Sequence, residues 1–240
     1  MATLVAMTCA LAGGAQAQTL REGLFGPRPS DGRRMSPPPV ARYVSEDGEH
    51  FVLDRSTARP LLKFDDSPEV YALQAQPAPR GDVIYKNDLG EPVLRATRLG
   101  GLTLFTDDRP GGTAAALDGD TQPLRLPVIG PQALLERLAQ ASARASRAAR
   151  RLIPFEADAT PTSAPLLADA AMVTAEAVVH MSRRPDGRAV LSRITKVELV
   201  EGKKPSADIA RGVMRVTVVP AQGLAGRPSS KRIISAAQIR

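Results

Sequence analysis

His50 and His180 are the two histidines of the sequence, and each stands at a spacing from carboxylates that invites a chemical reading. In Glu49-His50-Phe51-Val52-Leu53-Asp54, strand alternation puts His50, Val52 and Asp54 on one face, and Ser45 or Ser56 would complete a Ser-His-Asp set. Such a set needs its serine lifted out on a sharp turn, and no Gly-x-Ser-x-Gly elbow occurs in the chain. Around His180, separations of seven and four residues place Asp169, Glu176 and His180 in one column of a helix. A column of that kind can hold a divalent cation or a proton-transfer pair. Carboxylate-bridged bundles, however, draw matching ligands from other helices, and the preceding helix offers only Glu136. A surface Glu–His pair is therefore expected, with no metal and no cofactor.

The remaining chemistry is cationic. Arginines outnumber lysines 26 to 6 and the formal charge is +7; guanidinium groups grip phosphate and carboxylate in two-pronged fashion. On a helical wheel Arg137, Arg144, Arg147 and Arg151 share one quadrant, while Leu134, Leu138, Ala141, Ala145 and Leu152 occupy another. These four arginines are the candidate residues for an anionic partner: an anionic lipid, an acidic wall polymer or a carboxylate-bearing envelope protein. The plain alternative is a solvated face whose cations complement the helix dipole. With no Trp, three Tyr and five Phe, the chain has few platforms on which sugars or unpaired bases stack, so nucleic acid is not an expected partner.

These side chains are positioned by a chain that begins with a removable segment. Met1–Ala17 carries no charge and runs through Leu4, Val5, Ala6, Met7, Ala10 and Leu11 to Ala15-Gln16-Ala17, the pattern cut by signal peptidase. The expected mature protein starts at Gln18, is periplasmic or secreted, and has lost Cys9, the single cysteine. Disulfides and zinc–thiolate chemistry are then excluded. The apolar run is too short to span a bilayer, so no transmembrane segment remains after cleavage. Residues 18–40, with Pro27, Pro29, Pro37, Pro38 and Pro39, read as a flexible leader.

A single α+β domain is expected over 41–220. It opens with an antiparallel meander of six to seven short strands, the first pair joined by a type I′ turn at Asp47-Gly48. Arg80-Gly81-Asp82 is a turn. Residues 109–120 read as a surface loop, followed by a helix from Pro131 to about Leu152 and a second from Ser163 to before Pro185. A C-terminal β hairpin, 189–200 with 213–219, closes the domain, and 221–240 is a tail.

Arg42-Tyr43-Val44-Ser45-Glu46-Asp47-Gly48 through Phe51-Val52-Leu53-Asp54-Arg55-Ser56, with Gly81-Asp82-Val83-Ile84-Tyr85-Lys86-Asn87-Asp88-Leu89-Gly90-Glu91-Pro92 and Arg95-Ala96-Thr97-Arg98-Leu99-Gly100-Gly101, resembles an uncharacterised family of exported bacterial envelope proteins known only as a domain of unknown function. The resemblance runs from Arg42 onward. It implies an envelope location and no activity. The reading is therefore an exported, non-catalytic envelope protein binding an anionic component or a protein partner; the alternative is a periplasmic hydrolase acting on envelope material near His50.

Overall fold

The computed structural model describes residues 38–238, so the expected signal segment and the leader up to residue 37 lie outside the described residues. The fold is α+β: an antiparallel meander curled into a nearly closed barrel, then helices on a small mixed sheet. The meander has nine strands: β1 (Val40–Ser45), β2 (His50–Asp54), β3 (Leu61–Phe64), β4 (Val70–Ala72), β5 (Gln74–Pro77), β6 (Val83–Lys86), β7 (Pro92–Ala96), β8 (Leu102–Leu104) and β9 (Thr113–Asp120). Their order in the sheet is β4-β3-β2-β1-β9-β8-β7-β6-β5. The two outermost strands, β4 and β5, are separated in sequence by Leu73 alone, so the sheet must curl until its edges meet. Counting antiparallel partners round the sheet makes β4 and β5 run the same way. They form one bent strand whose first half pairs with β3 and whose second half pairs with β6. Closure of this kind removes the exposed edges of an open sheet. Tyr43, Phe51, Leu53, Leu62, Leu94 and Leu104 fill the interior, as side chains do in barrels this small.

A recurrent turn sets the register. At Ser45–Gly48, Asn87–Gly90 and Thr97–Gly100 the glycine amide donates to the first residue's carbonyl, and that glycine has a positive φ of 82°, 87° and 92° respectively. The side-chain oxygen of Ser45, Asn87 or Thr97 accepts the amide N–H four residues on. Asp47 is absent from the positive-φ residues, so the first hairpin is a three-residue loop closed by Gly48 rather than the expected type I′ turn. Asp82, in the Arg80-Gly81-Asp82 turn, is nearly buried and accepts Arg95 Nε at 2.9 Å. That hydrogen bond first of all, then the Arg98 amide, holds its carboxyl below the usual range.

Several expectations are corrected. Residues 113–120 are not a loop: β9 pairs with both β1 and β8 and joins the two halves of the barrel. The fold also starts earlier than Ala41, because Arg55 donates its amide to Pro39 O (2.6 Å) and a guanidinium N–H to Pro38 O (2.7 Å).

The second layer contains α1 (Pro131–Ala149), β10 (Phe155–Ala157), α2 (Ala164–Ser182), α3 (Gly187–Ser192), β11 (Lys196–Glu201), β12 (Ser206–Ala210), β13 (Val213–Val218) and α4 (Ser230–Gln238). Leu134, Leu138, Ala141 and Ala145 are the buried face of α1, as the wheel requires, but α1 ends at Ala149 with Arg150 in the left-handed region, and Leu152 is exposed. α2 is apolar nearly all round and long enough to cross a membrane by composition; in this fold it is the core helix, packed between α1, α4 and the sheet. The sheet order is β10-β11-β13-β12, with β10, β11 and β13 parallel. The expected C-terminal hairpin is thus wrong in two ways. Residues 189–192 belong to α3, and 196–201 and 213–218 are neighbours that run parallel, while the true hairpin is β12–β13 through Arg211-Gly212. The expected tail is also structured, since 220–226 form a 3-10 segment and α4 buries Ile233 and Ala237.

The C-terminal segment bolts the barrel to the helices. Arg227, whose side chain is 2% exposed, pairs through Nε with Asp169 of α2, donates to Val70 O at 3.0 Å and lies 3.6 Å from Glu69. Burial pushes the Glu69 carboxyl above its usual range, with Arg227 pulling the other way. The Ser230 amide donates to Glu69 (2.8 Å), and Asp88 of a barrel turn accepts the Ser229 amide and hydroxyl at 2.9 and 2.6 Å, holding Ser229 where its hydroxyl oxygen accepts the Arg232 amide (3.1 Å) and caps α4.

Candidate functional site

His50 stands on β2 with its side chain 41% exposed, and its Nδ1 lies 3.4 Å from Asp118 Oδ2 on β9, an oxygen that also faces Arg42 Nε at 3.3 Å. Asp54 is four residues along the same strand, about 13 Å away at the rise of a strand. It is fully buried (0% exposed), and its carboxylate is committed: it accepts the Ser56 amide (2.8 Å), the Ser56 hydroxyl (2.6 Å) and the Leu124 amide (2.9 Å). Asp54 therefore locks a turn and ties residues 121–126 to the barrel. His50 meets neither Asp54 nor a serine, and no catalytic site is evident among the described residues.

The column on α2 is divided between two partners. Asp169 belongs to the buried Arg227 cluster, whereas Glu176 pairs with Arg144 of α1 and lies 3.3 Å from His180 Nε2. Among the described residues no group of three potential ligands is placed to hold a metal ion.

Of the four candidate arginines, Arg144 is taken by Glu176, and Arg151 donates to Ser192 O at 2.7 Å. Arg137 is exposed beside Gln140 near the start of α1, and Arg147 is exposed near its end. The quadrant thus does not act as one surface; its C-terminal part belongs to a larger one. Because β10 and β11 are parallel and α2 connects them, α2 ends where both strands begin, and α1 ends immediately before β10. The Arg144–Glu176 pair and the Arg151–Ser192 bond fix the same alignment. The C-termini of α1, α2 and α3 therefore share one end of the layer, bringing together Arg147, Arg150 and Arg151 with Arg183 and Arg184, then Arg193, while Arg188 is the second residue of α3 and follows the end of α2 by six residues. Arg211 joins them in the β12–β13 turn, since Gly212 O accepts the Thr195 amide at 2.7 Å. Within these segments the single carboxylate is Asp186, 3.3 Å from Arg184. Helix C-termini attract cations, which accounts for part of the enrichment, but most of these arginines are exposed and have no carboxylate partner among the described residues. Arg150, Arg183, Arg188, Arg193 and Arg211 are not visible on the wheel of a single helix, because Arg150 lies past the end of α1 and the others lie on segments that only the topology brings together. The available signal was that Arg150, Arg183 and Arg193 directly follow a helix and Arg211 stands in a turn.

Three concave surfaces lie elsewhere, one of them an open recess of about 670 Å³ beside His50, Asp65 and Arg109. A recess of about 300 Å³ between the barrel and the β11–β12 turn is lined by Arg59, Lys203, Lys204 and Arg232, with Asp88. An open cavity of about 780 Å³ between the barrel mouth and α2 is acidic, with Glu49, Asp66, Glu91, Asp107 and Asp108 beside Phe64 and Phe105. There burial, followed by repulsion from Asp66, Asp108 and Asp47, raises the Glu49 carboxyl above its usual range.

No curated protein and no solved structure matches the chain. One family model does, over residues 19–237, which take in the barrel and nearly all of the helical layer. The chain belongs to the family described as Domain of unknown function (DUF4908).

Proposed function

We propose that this chain is an exported, non-catalytic envelope protein that engages an anionic partner through the arginine-rich end of its helical layer. The observation that carries the reading is the imbalance at that end, where the arginines of three helix termini and one hairpin turn face a single carboxylate. Several cations elsewhere do have carboxylate partners: the buried Arg227 has Glu69 and Asp169, Arg42 has Asp65 and Asp118, and Arg215 has Glu198. An unmatched cationic field attracts polyanions and does so in a salt-dependent way. Export is supported by the apolar run before Ala15-Gln16-Ala17, and the family region opens at Thr19, just beyond it. A hydrolase acting through His50 draws no support from the committed Asp54 carboxylate.

The test is retention of the purified chain on isolated envelope fragments at low and high salt. Strong retention at low salt that collapses as screening tightens is expected. No retention at low salt, or retention indifferent to salt, would refute the reading.

A further inference from the structure

We propose that the arginine-rich end docks on the headgroup surface of an anionic phospholipid layer, with Leu152 entering the interface between the arginines. This deepens the reading above and rests on it. The arginines are spread over the ends of packed helices, whose axes sit 8–10 Å apart, and one small anion cannot satisfy them. An extended array of anions can, and both an acidic polymer and a lipid surface supply one.

Leu152 decides between these two. It is 75% exposed, directly follows Arg150 and Arg151, and its neighbour Ile153 is fully buried in the helical core. Its exposure does not come from a loose loop. The Ile153 amide donates to Ser146 Oγ and its carbonyl accepts Ser142 Oγ, both at 2.9 Å, while the Arg151 amide donates to Ser146 O at 3.2 Å and its guanidinium to Ser192 O. The backbone on both sides of Leu152 is pinned, and the side chain is held outward among cations. A hydrophilic polymer gains nothing from a leucine in that position. A lipid interface does, because the apolar side chain leaves water while neighbouring arginines reach the phosphates from their flexible stems. Because the conformation is already fixed, docking orders little that was free.

The chain has no tryptophan, so Leu152→Trp places a single reporter at the contact point. The experiment uses the chain from Gln18, which keeps the whole described fold and removes an apolar segment that would itself enter lipid. With phosphatidylglycerol/phosphatidylcholine vesicles, Leu152→Trp emission is expected to shift to the blue, and Leu152→Ser should bind about tenfold more weakly than the native side chain. Soluble polyphosphate should bind the native and Leu152→Ser chains equally and leave the Trp emission unmoved. Vesicle binding with no Trp shift, or unchanged affinity in Leu152→Ser, would overturn the lipid proposal while leaving anion binding intact. Failure of the native chain to bind either polyphosphate or anionic vesicles at low salt would overturn the underlying reading as well. Leu152 is solvent-facing, so neither substitution should unfold the protein.

Discussion

Replacing Arg227 with Met removes the only cation from a buried cluster and leaves two carboxylates behind. Glu69 is almost fully enclosed and lies 3.6 Å from the Arg227 guanidinium, and Asp169 is half-buried against it. Breaking one partner out of such a cluster costs about 3–5 kcal/mol, since the remaining charge has no water to replace its counter-ion. Arg227 also donates to Val70 O and Pro228 O, so the variant strands backbone carbonyls at the barrel–helix junction. Against a domain stability of about 5–15 kcal/mol the loss is large; at this size it lowers the melting temperature by roughly 6–20 °C. Urea unfolding followed by circular dichroism measures it. The double variant Glu69→Gln/Arg227→Met should recover part of the loss, because the stranded charge is gone. Glu69 carries its proton to higher pH in the folded state than in the unfolded one, so the folded state binds more protons and stability falls as pH rises from the ordinary carboxyl range through the raised value. Without Arg227 that value rises further and the fall extends upward in pH. A single variant within about 1 kcal/mol of native, or a double variant no more stable than the single one, would refute the reasoning.

Asp54→Ala should destabilise by about 3 kcal/mol through its lost charged hydrogen bonds, whereas His50→Ala should change stability by less than about 0.5 kcal/mol; equal effects in denaturant would contradict the structural role given to Asp54. Asp88→Ala releases Ser229, whose hydroxyl caps α4 by accepting the Arg232 amide, and should cost about 1 kcal/mol, with faster amide exchange at Ser229. On the proposal of export, N-terminal sequencing of the mature chain should begin at Gln18; Met1 retained on soluble cytoplasmic protein would contradict it.

The barrel was legible where alternation and turns were strong. Phe51 and Leu53 inside, with His50 and Val52 facing away, follow from period two, and Gly48, Gly90 and Gly100 mark turns that side-chain oxygens complete. β9 was hidden because Thr-Ala-Ala-Ala-Leu-Asp-Gly-Asp has no alternating bulk, and its strand character comes from pairing with β1 and β8 on both sides. The parallel pairing of β11 and β13 was equally hidden, since the intervening β12 is short, follows the polar Gly202-Lys203-Lys204-Pro205 run and reads as part of a linker. α4 was missed because nine residues beginning Ser-Lys-Arg do not hold a helix alone; it is stabilised by packing on α2 and by the Ser229 cap that Asp88 holds in place. The same limit governed the candidate arginines. Arg147 and Arg151 were visible on one helix wheel, but Arg183, Arg188, Arg193 and Arg211 join them only through the topology.

The most direct measurement compares two variants of equal net charge on anionic vesicles. In one, Arg150, Arg183 and Arg193 are changed to Gln; in the other, the exposed Arg80, Arg98 and Arg125 are changed instead. At about 1 kcal/mol per arginine near an anionic surface, the first variant should bind roughly a hundredfold more weakly at low salt. The second should stay within a few-fold of the native chain. Equal losses would mean that net charge alone drives binding and that the arginine-rich end of the helices is not the site.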